Sequence, residues 1–128
     1  MSRRPWRRDL GARSRRAGRT AEWAAAVWLM LKGYQVIGFR LKAAGAEIDI
    51  LARKGRILAL VEVKRRTTPE AALEALGPDQ RRRLIRAGQD LISKRRAFAD
   101  FDLRLDVVAF APGRLPRHFR GLMTDNAI

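Results

Sequence analysis

The chain is 128 residues long, with 28 Lys and Arg against 13 Asp and Glu, a net charge of +15 and a pI near 11.7. That length suits one domain with a real core, and the basic excess points to a polyanionic partner, nucleic acid before an anionic membrane surface. With no cysteine and one histidine, disulfide scaffolds, thiolate zinc sites, cysteine nucleophiles and His-rich metal sites are excluded, so any metal must sit among oxygen ligands, which suits Mg²⁺ or Mn²⁺.

Residues 1–19 hold eight arginines against one acid, Asp9. Few apolar residues accompany them, which predicts a disordered basic arm. Arg3, Arg4, Arg7 and Arg8 are its candidate phosphate contacts. The rest of the chain keeps 20 basic and 12 acidic residues, so the arm does not account for the whole charge. The longest apolar run, Ala24 to Leu31, falls well short of the ~18–20 residues a membrane span needs. The N-terminus has no secretory hydrophobic core. The expectation is a cytoplasmic protein without a membrane partner.

Residues 20–33 read as a helix, capped by Thr20 and ended by Gly33. Helical spacing marks Ala24, Val27, Trp28 and Leu31 as its buried stripe, with Trp23 and Trp28 expected in the core. Glu22, in the first turn, complements the helix dipole on the plainest reading.

Tyr34 to Leu41 reads as a first strand. Two further apolar runs then flank Lys54-Gly55, a β-hairpin pattern. The second, Ile57 to Val61, lacks polar alternation, as a strand buried on both faces does. It runs straight into Glu62 and Lys64, which share one face. A turn at Lys54-Gly55 places Asp49 opposite Leu60, diagonal to Glu62. A shift of one residue on each strand places Asp49 directly opposite Glu62. Either register gathers two carboxylates and an ammonium beside a buried strand, where unpaired ions cost several kcal/mol each.

Thr67-Thr68-Pro69 breaks the strand, and a short helical turn at Glu70–Leu76 is possible. Pro78 opens a long helix to about Arg96, with Leu84, Ala87, Gly88 and Leu91 inward. Gln80 shares that inward stripe. Arg81, Arg82, Arg83 and Arg86 crowd its first turns, against the helix dipole, which favours an anionic partner. Leu103 to Phe110 is a further strand, interrupted by Asp106. Arg117 to Met123 reads as an edge strand, with His118 at its surface or edge, and residues 124–128 as a frayed tail. The order is α/β, a mixed sheet with helices packed on it, in one domain over 20–123.

Asp49 with Glu62-Val63-Lys64 is the main chemical signal. Phosphodiester hydrolysis needs a cation at the phosphate, an activated water and stabilisation of the leaving charge. Asp49 and Glu62 fit as carboxylate ligands, the Val63 carbonyl as a further oxygen, and Lys64 as the group that orients or deprotonates water. The structural alternative is an ion pair at the sheet rim.

The segments Gly18-x-x-Ala-Glu22, Gly45-x-Glu47-Ile-Asp49, Val61-Glu62-Val63-Lys64-x-Arg66 and Leu105-Asp106-Val-Val-Ala109 together resemble the YraN-like family of small bacterial proteins. That family is similar to the restriction-endonuclease-like, or PD-(D/E)xK, nucleases, including archaeal Holliday-junction resolvases. The resemblance implies a mixed central sheet flanked by helices. It implies Asp49, Glu62 and Lys64 as catalytic residues and Glu22 as an additional metal-binding carboxylate. Glu47 and Gln80 would lie at the periphery, Gln80 standing where the family usually has lysine.

The expectation is a Mg²⁺- or Mn²⁺-dependent DNA endonuclease, structure-selective and acting as a homodimer, with Arg65, Arg66 and the Arg81–Arg86 face on the phosphates. The alternative is a non-catalytic DNA- or RNA-binding module that keeps the nuclease fold. A basic adaptor for an acidic surface explains the charge but not the Asp49, Glu62 and Lys64 cluster.

Overall fold

A computed structural model describes residues 19–122. The expected basic arm, with Arg3, Arg4, Arg7 and Arg8, and the expected tail at 124–128 lie outside the described residues.

The fold is α/β, a five-stranded mixed sheet flanked by helices, in the order β1-β2-β3-β4-β5. The strands are β1 (Gln35–Ala43), β2 (Ala46–Lys54), β3 (Ile57–Arg65), β4 (Asp102–Phe110) and β5 (Arg117–Phe119). The helices are α1 (residues 19–31), α2 (Pro69–Glu74) and α3 (Pro78–Lys94). β3 and β4 run parallel, and their crossover carries α2, α3 and a 3₁₀ turn at Arg96–Phe98. The other pairs are antiparallel. β3 is central and packed on both faces, as its unbroken apolar run requires. Leu58 and Leu60 meet Leu84, Ala87 and Leu91 of α3, while Ala59 and Val61 join the cluster of Ala25, Ala26 and Leu29 of α1.

α1 differs from its expected face. Thr20 lies inside the helix, and Ala21, Ala25, Ala26 and Leu29 are the buried residues. Of the expected stripe, Ala24, Val27 and Leu31 are exposed and Trp28 is half-buried. Trp23, expected in the core, is 62% exposed and packs at a tilt against Phe39, ring centroids 5.2 Å apart. The sheet face already carries bulky side chains, so the helix approaches through its alanines and turns its large residues outward. Its C-terminus is as expected. The Tyr34 N–H donates to Leu29 O and the Gly33 N–H to Met30 O, both at 3.0 Å. This pattern needs a left-handed residue, and Gly33 has φ +93°.

The hairpin turn falls one residue later than Lys54-Gly55, at Gly55-Arg56 with Gly55 at φ +59°. Lys54 therefore pairs with Ile57, and the ladder continues to Ile50 opposite Val61. β1 pairs with β2 from Ala46 to Arg53 but carries a bulge between Val36 and Gly38. β5 is three residues long, shorter than the expected Arg117–Met123. α2 takes its cap from Thr68, whose Oγ1 accepts from the Ala71 N–H at 3.0 Å.

Candidate active site

The β2–β3 ladder ends at Ile50 and Val61, whereas β2 stays paired to β1 back to Ala46. The sheet thus forks. One arm is the start of β2 and the other is the end of β3. Continuing the register one step brings Asp49 opposite Glu62, at the crotch. There the Val63 N–H, which has lost its strand partner, donates to Asp49 Oδ2 at 2.9 Å. A strand residue points its N–H and C=O to the same edge, so the Val63 carbonyl also faces the fork.

A cleft of about 370 Å³ fills the fork. Glu47 and Asp49 line it from β2, Glu62 and Lys64 from β3, and Gln80, Arg83 and Leu84 roof it from α3. Gln80 Nε2 donates to Glu62 Oε2 at 2.7 Å. Of the sequence candidates, the structure gathers Asp49, Glu62, Lys64, Glu47, Gln80 and Arg83 with the Val63 backbone. Glu22 is not among the residues that line the cleft. It stands on α1, with Arg40 Nη2 at 2.5 Å from its Oε1.

Glu62 is 5% exposed. Burial is the main force that pushes its carboxyl up to about 9. The hydrogen-bonded Asp49 carboxyl and its charge push the same way, Lys64 opposes them, and Glu47 adds a smaller push. Glu62 therefore holds its proton at neutral pH. This arrangement suits a divalent cation, which would take the place of that proton. Among the described residues no group of three acidic or histidine side chains is gathered for a metal. Two carboxylates and a carbonyl nevertheless match the habits of Mg²⁺, which keeps several waters and uses substrate phosphate for the rest.

The arginines divide by partner. Arg81 Nε donates to Leu76 O at 2.9 Å, and Arg82 pairs with Asp79. These contacts absorb two of the cations crowding the start of α3. Arg83 and Arg86 are exposed, as are Arg65 and Arg66 just past the fork.

A second polar cluster lies on the other face of the sheet. Asp106 is fully buried there. Its carboxylate accepts from Arg104 Nε and Nη2 at 2.9 and 2.8 Å, and from the Gly121 N–H at 3.1 Å. His118 Nε2 lies 2.8 Å from Asp106 Oδ2 and its Nδ1 lies 2.6 Å from Lys32 Nζ. Because a carboxylate can only accept, Nε2 carries the proton and Nδ1 accepts from lysine. Arg104 also reaches the Tyr34 hydroxyl. Burial raises the Asp106 carboxyl, but donation from His118, Arg104 and Gly121 outweighs it and holds the group low. Burial and the charge of Arg120 lower the Lys32 ammonium. His118 sits on an edge strand, as expected, yet its side chain is 1% exposed. The sequence signal for this cluster was Asp106 inside an apolar strand. Its partners come from four separate places in the chain.

No helix among the described residues is long and apolar enough to cross a membrane. The profile of the uncharacterised protein family UPF0102 matches residues 21–110. A UPF0102 protein of Caulobacter vibrioides (strain NA1000 / CB15N) is 53% identical over 112 residues, covering 88% of this chain and 90% of that protein. One from Parvibaculum lavamentivorans is 51% identical over 108 residues, 84% of this chain and 81% of that protein. One from Agrobacterium fabrum is 44% identical over 108 residues, 84% of this chain and 88% of that protein.

Proposed function

The chain belongs to the uncharacterised protein family UPF0102, and from that premise we propose that it is a divalent-cation-dependent endonuclease hydrolysing phosphodiester bonds in DNA. The observation that carries this reading is the fork, where Asp49 and the buried Glu62 line one open cleft beside Lys64. A buried carboxyl beside a second, half-buried one is costly to the fold and useful to a cation site.

Asp49, Glu62 and the Val63 carbonyl would hold Mg²⁺ or Mn²⁺. When bound, the ion supplies charge neutralisation at the phosphate and makes water more acidic. The chain's own groups do the rest. Val63 N–H fixes the Asp49 carboxylate, and Gln80 fixes that of Glu62. The Lys64 ammonium orients the attacking water and faces the charge that builds on the phosphate. Arg83 meets the phosphate and offsets charge as the phosphorus–oxygen bond breaks.

The test is cleavage of labelled linear, flapped and four-way-junction DNA with Mg²⁺ or Mn²⁺, wild type beside Glu62→Ala. Cation-dependent cutting by wild type, lost in Glu62→Ala with binding retained, is the expected result. Cutting that survives Glu62→Ala would sink the site. A second reading, a non-catalytic nucleic-acid-binding module, is favoured by Gln80, which already occupies a Glu62 oxygen. Binding without cutting on every substrate would select it.

A further inference from the structure

A second cleft, of about 580 Å³, opens at the carboxyl end of the parallel pair β3–β4. The hydrolytic groups do not use it. Such strand ends are where open α/β sheets place ligands. Phe110 and Pro112 give it an apolar floor, Arg65, Arg66 and Thr67 form its rim, and Ala71 of α2 closes one side. No acid lines it.

Its position follows from strand register. Lys64 pairs with Ala109 and Arg65 with Phe110. The cleft therefore begins one residue, about 3.8 Å along the chain, past the lysine of the fork. The rim is tied to the floor through the backbone, since the Arg66 N–H donates to Phe110 O at 3.1 Å. The Arg66 side chain turns back on the Arg65 carbonyl at 2.6 Å, and both guanidinium groups stand at the exposed rim.

A half-exposed aromatic and a proline beside two guanidinium groups fit one chemistry well. The flat base stacks on the apolar floor and its phosphate meets the arginines. A base held in a duplex cannot enter, because both its faces are stacked and its edge is paired. Extruding it costs unstacking and unpairing, and this cost vanishes for a base that is already unpaired.

We propose that this cleft receives an unpaired base of the nucleic acid whose backbone crosses the fork. The substrate is then single-stranded, or carries an unpaired nucleotide beside the phosphate that is cut. The second clause rests on the hydrolytic reading, whereas the binding itself does not.

The test uses the full chain as Glu62→Gln, without metal, so that no turnover is required. It is titrated with oligonucleotides carrying 2-aminopurine in a single strand, as a bulge, or fully paired. The expected result is at least ten-fold tighter binding of the unpaired forms, with the fluorescence change of a stacked base. Phe110→Ala should remove that change and reduce the preference to about two-fold. Should Phe110→Ala unfold, Pro112→Glu at an exposed floor position should do the same by placing a carboxylate where the base sits. Equal binding of paired and unpaired forms, or a preference untouched by Pro112→Glu, overturns the proposal. The two readings fail separately. Unpaired preference lost in Pro112→Glu, with no cutting by wild type, keeps the cleft and removes the nuclease. Cutting of fully paired duplex as fast as of unpaired DNA does the reverse.

Discussion

Glu62 and Asp106 are both buried acids, and they titrate in opposite directions. The Glu62 carboxyl rises to about 9 from an ordinary value of 4.5. A raised group binds its proton more tightly when folded. Its contribution to stability is thus complete below about pH 4.5 and is lost progressively up to about pH 9. Metal-free protein should lose denaturant resistance across that window, and Glu62→Gln should flatten the loss, as urea midpoints against pH would show. Mg²⁺ should restore resistance at the alkaline side, because binding there no longer has to expel a proton. The Asp106 carboxyl is held below its ordinary 3.8. Its contribution is present above that value and disappears as pH falls through the lower, folded one. Asp106→Asn removes a buried carboxylate from its Arg104 and His118 partners and should cost about 3–5 kcal/mol in the urea midpoint at pH 7. Residues of this kind were only half legible in the sequence. A charge in an apolar strand announces a role, but the sign of its shift depends on whether acids or bases reach it.

At the level of elements, the strands and α3 were legible because their periodicity is long and interrupted by Gly and Pro. The hairpin register was not, since Lys54-Gly55 and Gly55-Arg56 differ by one residue and both use the same glycine. That step decides whether Asp49 meets Glu62 face to face or at a diagonal. The face of α1 was illegible for a related reason. Spacing identified an apolar stripe, but weighting by size chose Val27 and Leu31 over the alanines that the sheet accepts. Residue Gly88 shows how closely α3 lies on β3. A Cβ there would stand 2.6 Å from Leu60 Cδ1 and 2.9 Å from the Leu103 methyls. Gly88→Ala should therefore lift the helix and destabilise the fold by about 1–3 kcal/mol. It should also draw Gln80 from Glu62, so apparent Mg²⁺ affinity should fall along with stability. Unchanged Mg²⁺ affinity in a folded Gly88→Ala variant would show that Gln80 does not set the Glu62 carboxylate.

For the whole molecule, the net charge of +15 makes binding to a polyanion salt-dependent through counterion release, with log affinity falling by about 0.9 per phosphate contact for each unit of log salt. Not every arginine should count equally. Arg82 already has Asp79 and Arg81 has the Leu76 carbonyl, whereas Arg83 opens on the cleft. Arg83→Ala should flatten the salt slope by about 1, and Arg82→Ala by clearly less, in filter-binding titrations of duplex and single strands. Equal losses would mean that the Arg82 pair opens freely on binding.

The bulge in β1 bears on how two copies of the chain could meet. Joining two sheets edge to edge requires a straight row of free amides and carbonyls. The β1 edge is kinked between Val36 and Gly38, places Arg40 at φ +51°, and exposes Arg40 and Lys42. At the opposite margin, β5 offers only three residues. Neither border is a template for strand addition. A homodimer of this protein would therefore be held by side-chain packing, and it would leave the sheet at five strands per copy.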